Sequence, residues 1–168
     1  MYFHLFAQMK KQLRQVDRWF DKAEAHAKAR GFDPDLLVAV RLAPDQFGLA
    51  RQIDSACDTA KLGASRLTGK DAPKNDDDEK TIAELRARVA SAIAYLDSFT
   101  EKDFEGAATR TVTTPRWEGR TMTGHDYFLE HALPNFYFHL AHAYAILRAS
   151  GVDVGKRDYL GALTQTKP

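Results

Sequence analysis

From Tyr2 to Ala27 the apolar residues of this chain recur at intervals of three and four without a break. Tyr2, Leu5, Phe6, Met9, Leu13, Val16, Phe20, Ala23 and Ala27 therefore share one face of a helix of about eight turns. Lys10, Lys11, Arg14, Arg18 and Lys22 occupy the remainder. A helix that long, apolar on one side only, must be covered by other helices or by a sheet. Gly31 stands where a helix reverses its handedness to end, and Asp33-Pro34 caps a short helical turn reaching Val38.

The rest of the chain supplies helices. Pro44-Asp45 resets the backbone, and a second helix is expected from Asp45 to Leu67. Its apolar side is Phe47, Leu49, Ala50, Ile53, Ala56, Cys57, Ala60, Ala64 and Leu67, small enough for close helix approach. Thr68 to Lys80, with Gly69, Pro73, Asn75 and the acidic run Asp76 to Glu79, reads as an exposed loop. A third helix carries Ile82, Leu85, Val89, Ile93, Leu96 and Phe99. Between Gly106 and Gly124 the β-branched residues and Pro115 predict a small β-hairpin or extended insertion. A last helix runs from His125 to Ala149, and residues 152–168 are expected to wrap the bundle, with Tyr159 and Leu160 docking on it. The fold class is all-α: a four-helix bundle with a short extra helix, in one domain over residues 1–168.

Composition narrows the partners. Lys and Arg total 24 against 23 Asp and Glu, which gives no electrostatic case for nucleic acid. No apolar run reaches the roughly 20 residues of a membrane span, and Met1–Lys11 lacks a signal peptide's layout. The lone Cys57 excludes an internal disulfide and a multi-cysteine metal cluster. The expectation is a cytoplasmic protein without nucleic-acid or membrane partners.

Chemistry concentrates on the last helix, in His131-Ala-Leu-Pro-Asn135-Phe-Tyr-Phe-His139-Leu-Ala-His142. At about 100° per residue, His142, Asn135 and His139 lie about 20°, 40° and 80° around from His131. Pro134 inside this stretch distorts the register. Imidazoles one turn apart can reach a single zinc or nickel ion. They can equally be core histidines bonded to carbonyls, and a zinc site takes three protein ligands, for which the neutral amide of Asn135 is poorly suited.

At these residues the chain resembles a known family. Arg41-Leu-Ala-Pro-Asp45 with Gln46-Phe47 and Arg51-Gln52, Leu133-Pro-Asn-Phe-Tyr-Phe-His139, and Ala143-Tyr-Ala-Ile-Leu-Arg148 running into Gly155-Lys-Arg-Asp-Tyr-Leu-Gly161 carry the likeness. Together they are similar to the bacterial family called domain of unknown function nineteen-ninety-three, within the DinB/YfiT-like superfamily of metalloenzyme-type and thiol-transfer proteins. The resemblance implies a DinB-like bundle, often dimeric, and supplies no known activity. It also implies a metal position built from one histidine on the second helix and an HxxxH pair on the last. On this chain those positions hold Gln52, Asn135 and His139, so only His139 keeps a metal-ligand side chain.

Three functions stay open on the sequence. The first is an uncharacterised DinB-like protein with a degenerate polar pocket of Gln52, Asn135 and His139, able to hold water, a small anion or a polar metabolite. Arg51 and Arg41 would attract a carboxylate or phosphate there. The second is a metal-dependent hydrolase or thiol-transferase in which His139, with His142 or His131, holds zinc or nickel. The third is a non-catalytic interaction protein, a homodimer seamed by Tyr2, Phe3, Phe6, Trp19 and Phe20. Cys57, among alanines with no base beside it, is a weak nucleophile candidate.

Overall fold

The computed structural model describes residues 1–166 and is helical through most of its length. Helix α1 (Tyr2–Arg30) ends at Gly31, whose φ of 73° puts it in the left-handed region. The amide of Phe32 then reaches back to the Ala27 carbonyl at 3.1 Å, which closes the last turn. After a 3-10 turn (Pro34–Ala39) come α2 (Leu49–Thr68) and α3 (Ile82–Asp97). The last long helix is continuous but composite: α4 (Gly124–Asp126), a π-helical stretch (Tyr127–Ala132) and α5 (Leu133–Ala149). A short α6 (Lys156–Leu160) follows. In the bundle α2 lies between α3 and α5, and α1 closes the ring against both of them. Among the described residues no helix is long and apolar enough to cross a membrane.

The periodic face of α1 is core: Phe6, Met9, Leu13, Val16, Phe20, Ala23 and Ala27 are all buried. Trp19 is fully buried as well, because the segment after α5 covers it. Its ring stacks on Tyr159 at 5.8 Å and its indole N–H donates to the Asp158 carbonyl at 3.1 Å. Tyr2, Phe6, Trp19 and Phe20 are thus spent inside the protein and do not form an exposed dimer seam.

Three local expectations need correction. Helix α2 begins at Leu49, not at Asp45. The Leu49 amide bonds to the Val40 carbonyl at 2.9 Å, and Gly48 packs so tightly on Ala39 that an added Cβ would lie 3.1 Å from its carbonyl oxygen. That tether fixes the chain before the helix can start, so Phe47 stands outside it and is 51% exposed. Residues 69–81 are not simply a solvated loop. Buried Arg88 on α3 holds Asp77 at 2.7 Å and Asp58 of α2 at 2.8 Å, while Arg51 holds the other oxygen of Asp77 at 2.6 Å. Helix α3 ends at Asp97, and Phe99 is buried beyond it. Its start is fixed by a reciprocal cap between Thr81 and Glu84.

The insertion before the last helix is a two-residue antiparallel pair, β1 (Thr111–Val112) with β2 (Met122–Thr123), spanned by a 3-10 turn at Pro115–Trp117. It returns to the bundle through Gly124, where a Cβ would sit 1.9 Å from the Ala107 carbonyl oxygen. Only glycine fits there. The π-helical stretch lies immediately before Pro134. A proline has no N–H to donate and its ring presses on the carbonyl four residues back, which a locally widened helix accommodates.

Candidate functional site

Helices α2 and α5 and the β1–β2 insertion enclose a cleft of about 380 Å³. Its lining includes Arg51, Ser55, Asp58, Thr59 and Arg66 from α2, Arg116 and Trp117 from the insertion, and Tyr127, His131, Asn135 and His139 from the last helix, with Phe47 at its edge.

At one end Gln52 and His139 form a buried pair, Gln52 Oε1 to His139 Nδ1 at 2.8 Å. Gln52 is 2% exposed and its amide nitrogen donates to the Phe47 carbonyl at 3.3 Å. Because a carbonyl only accepts, that contact fixes which end of the amide faces the imidazole. Gln52 therefore presents its oxygen, Nδ1 carries the proton, and Nε2 is left as the acceptor of the ring. The Phe47 ring stacks on the imidazole at 6.3 Å between centroids. Burial, the neighbouring His142 and the Arg51 charge push the His139 pKa down to about 4. The ring is uncharged at neutral pH and too weak a base to remove protons there. It serves as a fixed acceptor.

One turn earlier Asn135 donates from Nδ2 to the Thr59 hydroxyl at 2.7 Å, and that hydroxyl donates to the Ser55 carbonyl at 2.6 Å. The amides of Gln52 and Asn135 thus both join α2 to α5. At the other end Arg66 Nη1 donates to the Tyr127 hydroxyl at 2.9 Å and its guanidinium lies over the Tyr127 ring. Tyr127 stacks on His131 at 5.5 Å, and Trp117 meets both rings edge-on at 6.0 and 5.8 Å. Burial and the Arg66 charge lower the His131 pKa as well.

The sequence candidates separate in space. Gln52, Asn135 and His139 come together, and His131 and Arg51 line the same cleft. His142 does not: it lies a turn beyond, where its Nδ1 donates to the Phe138 carbonyl of its own helix at 2.7 Å. Arg41 lines a separate depression beside Asp35 and Lys80. Thr59, Arg66, Trp117 and Tyr127 are cleft residues that periodicity did not single out. A tryptophan in the polar stretch between Thr113 and Arg120 was the signal available for Trp117. Cys57 is fully buried, and burial pushes its thiol pKa far up, so it is no nucleophile in the folded protein.

The bundle has a counterpart among known proteins. The family described as "Domain of unknown function (DUF1993)" matches residues 1–160. The chain belongs to the DUF1993 family. Its fold is similar to the crystal structure of a DinB family member protein from Shewanella denitrificans, with a TM-score of 0.97. The two are 51% identical over 100% of this chain and 96% of the other. No curated protein matches the sequence.

A DinB-like bundle raises the question of a divalent metal, and the donors of this DUF1993 chain do not fit one. At the positions to which the resemblance points it offers two carboxamides, Gln52 and Asn135, and a single imidazole, His139. The amide of Asn135 is turned to the Thr59 hydroxyl. His131 is two turns from His139, roughly 12 Å along the axis, too far to share an ion. Among the described residues no group of three or more His, Cys, Asp or Glu is placed to hold a metal. A zinc site takes three or four such ligands.

Proposed function

We propose that this DUF1993 protein is a metal-independent DinB-like binding domain, in which an amide–imidazole pair stands where relatives of the superfamily place an ion. The observation that carries the reading is the Gln52–His139 hydrogen bond, with its direction fixed by the Phe47 carbonyl. A metal site needs several free lone pairs converging on one point; here Gln52 is spent on His139 and Asn135 on Thr59, and of the three side chains the His139 ring alone keeps an uncommitted nitrogen. What faces the cleft is an uncharged imidazole acceptor, a row of guanidiniums and three aromatic rings, which suits a small polar molecule better than a bond-breaking step. A reducing, cytoplasmic setting agrees with a free cysteine kept in the core.

The test is metal content and metal binding of untagged protein, by elemental analysis and by calorimetry with zinc and nickel. The expected result is substoichiometric metal and the same weak heats for wild type and His139→Ala. One equivalent of zinc or nickel that vanishes in His139→Ala would overturn the reading and restore a metal-dependent hydrolase or thiol-transferase.

A further inference from the structure

Resting on the reading of the cleft as a binding site, we infer that its ligand is a flat aromatic or heteroaromatic carboxylate, its charge held by Arg66 and Arg116 and its ring packed against Trp117 and His131. The sign of the ligand follows from the charges around the cleft. Both histidines in the lining are held neutral by burial. Asp58, its one acidic residue, is already paired with Arg88 at 2.8 Å and Lys61 at 2.9 Å. Arg51 is engaged by Asp77. Among the described residues no carboxylate pairs with Arg66 or Arg116, so two guanidinium charges face the cleft uncompensated. A cavity with that balance concentrates anions.

The shape follows from the rings. Tyr127 and His131 are nearly parallel, 20° apart, and Trp117 closes against both at a steep angle; Tyr127 is fully buried behind them, so Trp117 and His131 are the partly exposed rings of the group. Arg66 is held in place by its stack on Tyr127 and its bond to the hydroxyl, so its remaining donors are fixed before a ligand arrives. A carboxylate coplanar with an aromatic ring matches a planar guanidinium fork beside a stacking surface. His131 Nδ1, buried with no hydrogen-bond partner, offers a polar contact to a ring heteroatom. A volume near 380 Å³ is within the range of small-molecule pockets.

The test is calorimetric titration of the full chain with 2-naphthoate, 2-naphthamide, decalin-2-carboxylate and 2-naphthyl phosphate, alongside NMR of the two tryptophan indole N–H groups. The expected result is that 2-naphthoate binds at least tenfold more tightly than the neutral amide and the non-planar acid, and shifts the Trp117 signal while leaving that of Trp19. Arg66→Lys, which keeps the charge and loses the fork, should weaken it about tenfold. Arg116→Ala, on an exposed turn where folding is not at stake, should weaken it several-fold. Equal binding of naphthamide or decalin carboxylate, tighter binding of the phosphate, no binding by any probe, or no effect of either arginine variant would overturn the ligand class. Those failures are separable from failure of the binding-domain reading, which falls only if His139-dependent metal appears at one equivalent.

Discussion

Replacing Asp54 by Asn should stabilise the protein at neutral pH and do nothing at pH 4. Asp54 on α2 is 2% exposed, and its Oδ1 is buried with no hydrogen-bond partner. Burial, and then the charges of Glu79 and Asp77 set against those of Arg88 and Arg51, raise its pKa from the ordinary 3.8 to about 7. The folded state therefore keeps a proton that the unfolded chain releases. The contribution of the group to stability is complete below pH 3.8, falls as pH rises, and is fully lost above about 7. At about 1.4 kcal/mol per tenfold change in proton affinity, a gap of about three decades sets an upper limit near 4 kcal/mol. Solvent screening through the neighbouring ion pairs reduces this to about 2 kcal/mol. Asn keeps the shape and removes the charge. Urea unfolding of both proteins in half-unit steps from pH 4 to pH 8 should give curves that meet at the acid end and diverge, with D54N about 2 kcal/mol more stable at pH 8. A constant difference across the range, or a wild type that is the more stable protein at pH 8, would refute the reasoning.

Other outcomes follow from single contacts. Thr59→Val strips Asn135 of its acceptor and should cost about 1–2 kcal/mol in denaturant unfolding, with little change in overall helicity. Gly124→Ala places a methyl against the Ala107 carbonyl and should cost about 3 kcal/mol, lowering the melting midpoint by about 6–12 °C in calorimetry; a shift under 2 °C would show that the insertion can move aside. Cys57, fully buried with its thiol pKa raised, should react with a disulfide dye only as fast as the protein unfolds, and a rapid reaction in native buffer would contradict its placement.

The bundle was legible because its helices obey simple periods. The α1 stripe and the α3 positions Ile82, Leu85, Val89 and Leu96 are core as spaced, and the β-branched stretch does form the two-strand pair. What failed was what depends on distant partners. Phe47 reads as the first apolar residue of α2, yet the Val40–Leu49 tether puts it outside the helix and against His139. The π-helical stretch at Tyr127–Ala132 changes the angle at which His131 meets the cleft, which a uniform 100° count cannot register. The pairing of Gln52 with His139 spans 87 residues, and only the resemblance drew attention to it. Arg66, Trp117 and Tyr127 sit on three separate segments, so no local pattern could assemble them. Asp77 was hidden in an acidic run that looks solvated until Arg88 is found beneath it.

The protonation of His139 tests the central claim most directly, because a metal-free ring held by Gln52 takes its second proton at Nε2 and ignores a chelator, whereas an Nε2 bound to a metal cannot be protonated until the metal leaves. Long-range proton–nitrogen NMR spectra of untagged protein, titrated from pH 8 to pH 3, report which nitrogen carries the proton and when the second one arrives. The account predicts a neutral ring protonated at Nδ1 throughout the neutral range, becoming charged only near pH 4, and losing its fixed Nδ1–H tautomer when Gln52 is replaced by Ala. A ring protonated at Nε2, a midpoint near 6.5 in the wild type, or a spectrum that changes on adding a chelator would contradict it.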